Sequence, residues 1–141
     1  MATVRLNPYL TFKDTAGPAM DFYKSVFGGK LMSTSFKDGG MSQSPADANL
    51  VMHAMLEADN GITLMGSDSP PDMGPPLTVG NNISISLSGD DERTLRGYWD
   101  KLSAGGQVAM PLEKAPWGDT FGMCTDKFGI NWLVNISGAK A

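Results

Sequence analysis

The stretch WGDTFGMCTDKFGINWLVN, Trp117–Asn135, decides the fold because it contains two short runs with strand character on either side of a tight turn. The runs are Thr120–Thr125 and Ile130–Ile136, and residues 126–129, Asp-Lys-Phe-Gly, have the composition of a turn. A Trp-Gly-Asp sequence leads into the first run. The pattern predicts a β-hairpin near the C-terminus.

The composition is that of a globular domain. The chain has 141 residues, of which 41% are hydrophobic and 18% charged, and this length is enough to bury a core. A net charge of -4 without a basic run argues against nucleic-acid binding. No apolar stretch approaches the roughly 18 residues of a membrane span, and the first ten residues lack the pattern of a signal peptide. The single cysteine, Cys124, is typical of a reducing compartment, so we expect a cytoplasmic protein.

The two halves of the chain predict the same order of elements. In the first half, the patterns are a strand, a helix that begins after Asp14 or Thr15 and ends at Gly28, and three more strands. The four strands are 4–13, 30–36, 50–58 and 62–67, with a long polar loop at 37–49 and the turn Asp59-Asn60-Gly61 before the last strand.

The second half repeats the pattern with a strand at 81–88, a helix at 90–104 and the C-terminal hairpin. Three pairs of residues match at an offset of about 76 positions, which favours an internal duplication. These pairs are Asp14 with Asp90, Phe22 with Tyr98, and Tyr23 with Trp99. We therefore predict one α+β domain over residues 1–141, with repeat units at 3–67 and 80–137 and a Pro- and Gly-rich linker at 68–79.

Four motifs together resemble the PhnB-like branch of the glyoxalase/bleomycin-resistance/extradiol-dioxygenase (vicinal oxygen chelate) superfamily. They are Pro-Tyr-Leu-Thr-Phe at 8–12, Ala-Met-Asp-Phe-Tyr-Lys-Ser-Val-Phe-Gly at 19–28, His53, and the Trp117–Asn135 stretch. The resemblance covers essentially the whole chain. It implies two tandem βαβββ units that form a curved mixed sheet around a cavity, usually within a homodimer.

Strand alternation assigns side chains to the two faces of each sheet. One helix per unit covers one face, which leaves the other for a cavity or ligand. The residues that the alternation assigns to the helix-covered face are Val4, Leu6, Leu10, Phe12, Ile83, Ile85 and Leu87. Those assigned to the other face in the same strands are Asn7, Tyr9, Thr11, Asn82, Ser84 and Ser86, joined by His53 and Glu57 from the third strand.

The candidate ligand-binding residues are Tyr9, His53, Asn82, Ser84, Trp117, Asp119 and Phe121. His53 is the best candidate for a catalytic residue, as a general base or as a donor to an acidic ligand; its alternative role is that of a hydrogen-bonded cavity residue. Trp117 and Phe121 either stack on a planar ligand or belong to the core. Asp119 either orients a ligand or caps the loop backbone. Phe22, Tyr23, Tyr98, Trp99 and Trp132 are core by their pattern.

Ten methionines suggest adaptable apolar surfaces around the cavity, with ordinary core filling as the alternative. Seven of them are Met41, Met52, Met55, Met65, Met73, Met110 and Met123. Cys124 has no Lys or His next to it in sequence, so a buried thiol is favoured over a nucleophile.

Metal-dependent members of the superfamily place His, Glu or Gln at four positions, which correspond here to Asn7, Met65, Asn82 and Leu133. Two amides, a thioether and a hydrocarbon are poor ligands for a hard or borderline divalent ion. With His53 as the one histidine, we expect no metal and no other cofactor. A site built on His53 and Glu57, or shared between subunits, stays open as an alternative.

The resemblance therefore favours a homodimeric small-molecule-binding protein that uses no metal. The alternatives are a metal-dependent lyase, isomerase or dioxygenase of the same superfamily, a methyltransferase-like enzyme, and an interaction module whose concave face is filled by its own side chains. Fold analogy does not choose among these, because one fold hosts many activities.

Overall fold

The computed structural model describes residues 2–70 and 74–138; residues 71–73 of the expected linker, including Met73, lie outside the described part. The chain divides into two compact units, Met1–Thr78 (unit 1) and Val79–Ala141 (unit 2). Each unit has the order β-α-β-β-β, which confirms the α+β fold with two tandem βαβββ units. Neither helix in the described residues is long and apolar enough to cross a membrane.

The elements of unit 1 are β1 Tyr9–Phe12, α1 Ala16–Phe27, β2 Lys30–Ser35, β3 Val51–Glu57 and β4 Thr63–Asp68. Its sheet has the strand order β1-β4-β3-β2, with β1 parallel to β4 and the other pairs antiparallel. The helix α1 packs on one face of this sheet. The core between them contains Leu10, Phe12, Met20, Tyr23, Phe27, Leu56 and Leu64.

The elements of unit 2 are β5 Ile85–Gly89, α2 Glu92–Ser103, β6 Gln107–Lys114, β7 Thr120–Thr125 and β8 Asn131–Ile136. The strand order β5-β8-β7-β6 repeats that of unit 1, again with one parallel pair at one edge. The core under α2 contains Leu87, Leu95, Tyr98, Trp99, Leu102, Trp132 and Val134.

The two predicted hairpin turns are present. Asn60 and Gly61 have positive φ angles of 64° and 74°, which Asn and Gly adopt readily, and the N–H of Ala58 bonds to the carbonyl of Ile62 at 2.8 Å across the loop 59–61. In the second hairpin, Gly129 has φ 92° and its N–H bonds to the carbonyl of Asp126 at 3.0 Å. The side chain of Asp126 also accepts from the backbone N–H groups of Phe128 and Ile130 at 2.8 and 3.1 Å. Short-range sequence signals therefore set both turns.

The two helices begin in different ways. The helix α2 begins at Glu92, two positions after the predicted start at Asp90, and the carboxylate of its N-cap residue Asp91 accepts from the N–H of Thr94 at 3.1 Å. At α1 the N-cap residue is Thr15, whose side chain makes no capping bond. The N–H of Ala16 instead donates to the buried carboxylate of Asp68 at 2.9 Å.

The predicted first strands of both units are too long. Val4 and Leu6 are 99% exposed and lie outside β1, and Ile83 is 78% exposed and lies before β5. In each unit the first strand pairs only with the last, and β4 and β8 begin at Thr63 and Asn131. By the same register, residues before about Asn7 and Ser84 would lie beside the turns that precede β4 and β8. A turn offers no extended backbone, so these residues have no strand to pair with.

Smaller differences affect α1 and the loop after β2. Phe22 is half-buried, although the helical pattern predicts it as core.

The 37–49 loop, expected to be polar, is organised by Asp47, which is 3% exposed. Its carboxylate accepts from the Ser42 hydroxyl at 2.7 Å and from the backbone N–H groups of Gln43 and Ser44. The Ser42 hydroxyl and these N–H groups lower the pKa of Asp47.

Candidate functional site

Each sheet has one face covered by the helix of its own unit and one face that this helix leaves open. The glycines show the direction: a Cβ added at Gly66 would lie 3.3 Å from the sulfur of Met20 in α1. A Cβ added at Gly122 would lie 2.9 Å from the Trp99 ring in α2. The side chains of alternating positions point the other way, onto open face 1 in unit 1 and open face 2 in unit 2.

A row of apolar side chains crosses all four strands of open face 1. The register places Tyr9 beside Met65, Met65 beside Met55, and Met55 beside Met32. We call these four residues the methionine row. Met32 is 56% exposed, Tyr9 is 47% exposed, and Met55 and Met65 are half-buried. Three thioethers on neighbouring strands thus form a continuous strip.

Polar side chains flank the methionine row on both sides. The first flank consists of two cross-strand pairs, Thr11 beside Ser67 and His53 beside Thr34. The second flank consists of Lys30, Glu57 and Thr63, which are also cross-strand neighbours. The guanidinium of Arg5 donates to the hydroxyl of Thr63 at 2.9 Å, so a second cation reaches this edge.

Tyr9 and His53 are in direct contact on open face 1, as their shared face assignment predicts. The Tyr9 hydroxyl lies 3.3 Å from Nδ1 of His53, and the two rings are stacked with centroids 5.8 Å apart and planes 26° apart. If Nδ1 carries the proton, it donates to the hydroxyl and leaves Nε2 as an acceptor; if not, the hydroxyl donates and Nε2 is a donor. In both cases Tyr9 orients the His53 ring and leaves Nε2 for a hydrogen bond with a ligand.

Open face 2 has an equivalent row of side chains that are cross-strand neighbours. Ser86 lies beside Leu133, Leu133 beside Met123, and Met123 beside Met110. Met110 is 49% exposed, whereas Met123 and Leu133 are half-buried. This row matches the methionine row strand by strand, except that Ser86 and Leu133 replace an aromatic and a thioether.

Trp117, Asp119 and Phe121 come together at the start of β7. The Trp117 ring meets the Phe121 ring edge-on with centroids 6.2 Å apart, and Trp117 is 66% exposed, so it is not a core residue. The Asp119 carboxylate accepts from the Asn135 amide at 3.1 Å and from the N–H of Gly138 at 2.9 Å. These two bonds hold the chain end against the entry to β7.

Asn82 and Ser84 do not lie in a strand. Both are exposed and precede β5, which begins at Ile85. Strand alternation therefore cannot assign their side chains to open face 2, because neither residue pairs with β8. The first residue of β5 on open face 2 is Ser86, which sequence reasoning assigned to this face but did not include in the candidate site.

The structure also changes which residues occupy the strand positions expected to correspond to metal ligands. Asn7 and Asn82 lie outside the strands, and the residues paired with Met65 and Leu133 are Tyr9 and Ser86. Within residues 2–70 and 74–138, no three His, Cys, Asp or Glu side chains form a group that could hold a metal ion.

Two other side chains have clear structural roles. Burial, followed by the negative charge of Asp126, raises the pKa of Cys124 to about 11, so the thiol is protonated at neutral pH and a poor nucleophile.

The sequence pattern places Asp68 in the linker, but it ends β4 and its carboxylate accepts from the N–H groups of Ala16 and Val51, both at 2.9 Å. No local signal identifies this role, because both partners are distant in sequence.

Unit 2 also has a groove of about 380 Å³ on the helix side of its sheet, between α2 and β6. It is lined by Arg96, Trp99, Asp100, Val108, Pro111 and Leu112. None of the seven candidate residues lines this groove, so it is separate from the predicted site.

Comparison with known proteins agrees with the fold. The model of the Glyoxalase/Bleomycin resistance protein/Dioxygenase superfamily matches residues 5–134. Protein YjdN of Escherichia coli (strain K12) is 29% identical over an alignment 140 residues long, which covers 93% of this chain and 94% of that protein. The crystal structure of protein PA1353 from Pseudomonas aeruginosa has a TM-score of 0.81 and 35% identity, covering 96% of this chain and 98% of that one. The PhnB protein from Bacillus cereus has a TM-score of 0.74 and 25% identity, with 95% and 100% covered.

Proposed function

This chain belongs to the glyoxalase/bleomycin resistance protein/dioxygenase superfamily, in its PhnB-like branch, and we infer that it binds a small organic molecule on the open faces of its sheets. The observation that carries this proposal is the methionine row with its polar flanks on open face 1. Ligand sites combine an apolar lining with a few placed polar groups, and an exposed apolar strip of this kind marks an interaction surface.

The polar groups that support the proposal are those that can fix a ligand's orientation. His53, held by Tyr9, offers a hydrogen bond on open face 1. On open face 2 the exposed Trp117 ring offers a stacking surface next to Phe121. We propose that Tyr9 and His53 contact a ligand on open face 1 and that Trp117 and Phe121 contact a ligand on open face 2, while Asp119 positions the loop that carries Trp117.

We propose further that the protein is a homodimer that works without a bound metal in the cytoplasm. Val4, Leu6 and Ile83 are large apolar side chains that are almost fully exposed, and burial against a second copy would remove them from water. The reduced, buried Cys124 supports a cytoplasmic location.

Native mass spectrometry of protein purified without chelator tests these points together. We expect a dimer, and a small organic molecule that is released on denaturation would identify the ligand class. A monomer would contradict the homodimer, and a stoichiometric metal ion would contradict metal-free binding.

Ligand screening with variants tests the site itself. We expect His53→Ala to weaken binding of a compound on open face 1, and Trp117→Ala that of a compound on open face 2, by about tenfold, the effect of losing one good hydrogen bond or stacking contact. Lys24→Ala, on the exposed side of α1, is the control and should bind as the parent does. Unchanged affinity in both site variants would contradict the proposed faces.

A further inference from the structure

The arrangement of open face 1 restricts the shape of the ligand that we propose for it. Strands lie about 4.8 Å apart, so the four residues of the methionine row span about 14 Å. The flanking residues are two positions along the strands, so they lie about 7 Å to each side of the row. The face is therefore a narrow apolar strip with polar groups along both edges.

The side chains of the strip are chemically specific. Thioethers are more polarizable than aliphatic carbons and make favourable contacts with aromatic rings at about 5 Å. Met32, Met55 and Met65 lie on three neighbouring strands, so one flat molecule can contact all three sulfurs. The row ends at Tyr9, whose ring stacks on His53 and adds an aromatic wall. These side chains favour a conjugated ring system over a saturated one.

The two polar edges differ in charge. One edge has the neutral hydroxyls of Thr11, Ser67 and Thr34 around His53. The other edge has two cations, Lys30 and Arg5, and one acid, Glu57. The net charge of the whole chain, by contrast, is -4. An anionic group of a ligand would be attracted to the cationic edge, and a hydroxyl or carbonyl to the edge with His53.

Building on the function proposed above, we propose that open face 1 binds a planar conjugated molecule that carries an anionic group on one edge and a neutral hydrogen-bonding group on the opposite edge. The flat body lies on the methionine row. The anionic group lies toward Lys30 and Arg5, and the neutral group lies toward His53. Open face 2 offers an internal comparison, because Leu133 and Ser86 stand where this face has Met65 and Tyr9.

The test compares three probes of one carbon skeleton by isothermal titration calorimetry. The probes are 6-hydroxy-2-naphthoate, 2-naphthoate and saturated decahydro-2-naphthoate. We expect 6-hydroxy-2-naphthoate to bind at least about tenfold more tightly than the saturated acid, because it alone combines sulfur–aromatic contacts of the flat ring with a hydrogen bond to His53. The unsubstituted 2-naphthoate, which lacks the group for the His53 edge, should lie between them.

Variants locate the effect. Met55→Leu and Met65→Leu conserve volume but remove sulfur, so each should reduce the preference for the planar probe over the saturated one about threefold. Met123→Leu, at the level of Met55 on open face 2, is the matched control and should leave the preference unchanged. His53→Leu, which cannot form the hydrogen bond, should remove the advantage of 6-hydroxy-2-naphthoate over 2-naphthoate.

The outcomes separate this inference from the function on which it rests. If all three probes bind equally, small-molecule binding stands and the preference for a planar ligand is wrong. If the preference exists but responds to Met123→Leu and not to Met55→Leu or Met65→Leu, open face 1 is the wrong location. If none of the probes binds while an unrelated aliphatic compound does, the ligand class is wrong. If nothing in a broad screen binds, the proposed function fails as well.

Discussion

The carboxylate of Asp126 is expected to be the strongest single polar contribution to the stability of unit 2. It is 3% exposed and accepts three hydrogen bonds. Two come from the backbone of the turn, from Phe128 at 2.8 Å and from Ile130 at 3.1 Å. The third comes from Nε1 of Trp132 at 2.8 Å, whose side chain is 1% exposed. Replacing Asp126 therefore affects the turn and the core together.

The substitution Asp126→Asn keeps the size of the side chain and changes its hydrogen bonding. The amide oxygen can still accept from the turn, but the NH2 group then faces the indole N–H, and two donors cannot bond. A buried donor without a partner costs about 1–3 kcal/mol, and the turn bonds lose the strengthening of a charged acceptor. We expect the free energy of unfolding of unit 2 to fall by about 2–4 kcal/mol.

Urea unfolding followed by tryptophan fluorescence measures this effect selectively. The three tryptophans, Trp99, Trp117 and Trp132, are all in unit 2, so the signal reports this unit. Asp90→Asn, at an exposed position of the same unit, is the control and should change the free energy by less than about 0.5 kcal/mol.

A double-mutant cycle with Trp132→Phe isolates the bond between the carboxylate and the indole. Phenylalanine has no N–H, so Asp126→Asn should cost about 1–2 kcal/mol less in the Trp132→Phe background than in the parent. A coupling energy near zero, or a cost of Asp126→Asn no larger than that of the Asp90→Asn control, would refute the reasoning.

Three further results are expected. Asp68→Ala leaves the buried N–H of Ala16 and the half-buried N–H of Val51 without their acceptor, so it should destabilise unit 1 by about 2–4 kcal/mol in urea unfolding followed by circular dichroism and speed amide exchange at both residues. Cys124 should be unreactive toward a thiol reagent until the protein unfolds. Its stabilising contribution should be lost as the pH rises from about 9 to about 11, because the native thiol keeps its proton, and Cys124→Ala should abolish that pH dependence. The bonds to Asp47, whose pKa is lowered, should persist until the pH falls through that pKa, and faster amide exchange in the 37–49 loop would then report their loss.

The parts of the fold that the sequence predicts correctly are those set by local chemistry. An Asn-Gly pair adopts the positive φ angles of a tight hairpin because little steric cost opposes it, so the turn at Asn60 was predictable. Alternation predicts the faces of β3 and β8 because one side of each is buried under a helix, as the pairs Leu56 and Met55 or Val134 and Leu133 illustrate.

The parts that it misses depend on the length and position of a partner. Val4, Leu6 and Ile83 alternate with polar residues as a strand would, but the parallel strand beside them begins too late to pair with them. Asp68 lies next to a Pro-rich segment and resembles a loop residue, yet its two partners begin α1 and β3. A propensity pattern contains no information about where a neighbouring strand stops.

The candidate site shows the same division. Tyr9 and His53 were selected for their chemistry and share a face by parity, and the structure places them in contact. The methionine row needs more, because Met32, Met55 and Met65 belong to separate strands and become neighbours only once the register of two strand pairs is known. Residue types identify which side chains can interact with a ligand, but register decides which of them act together. The equivalent row of unit 2 ends in Ser86 and contains Leu133, so the two units share one sheet topology but present different surfaces.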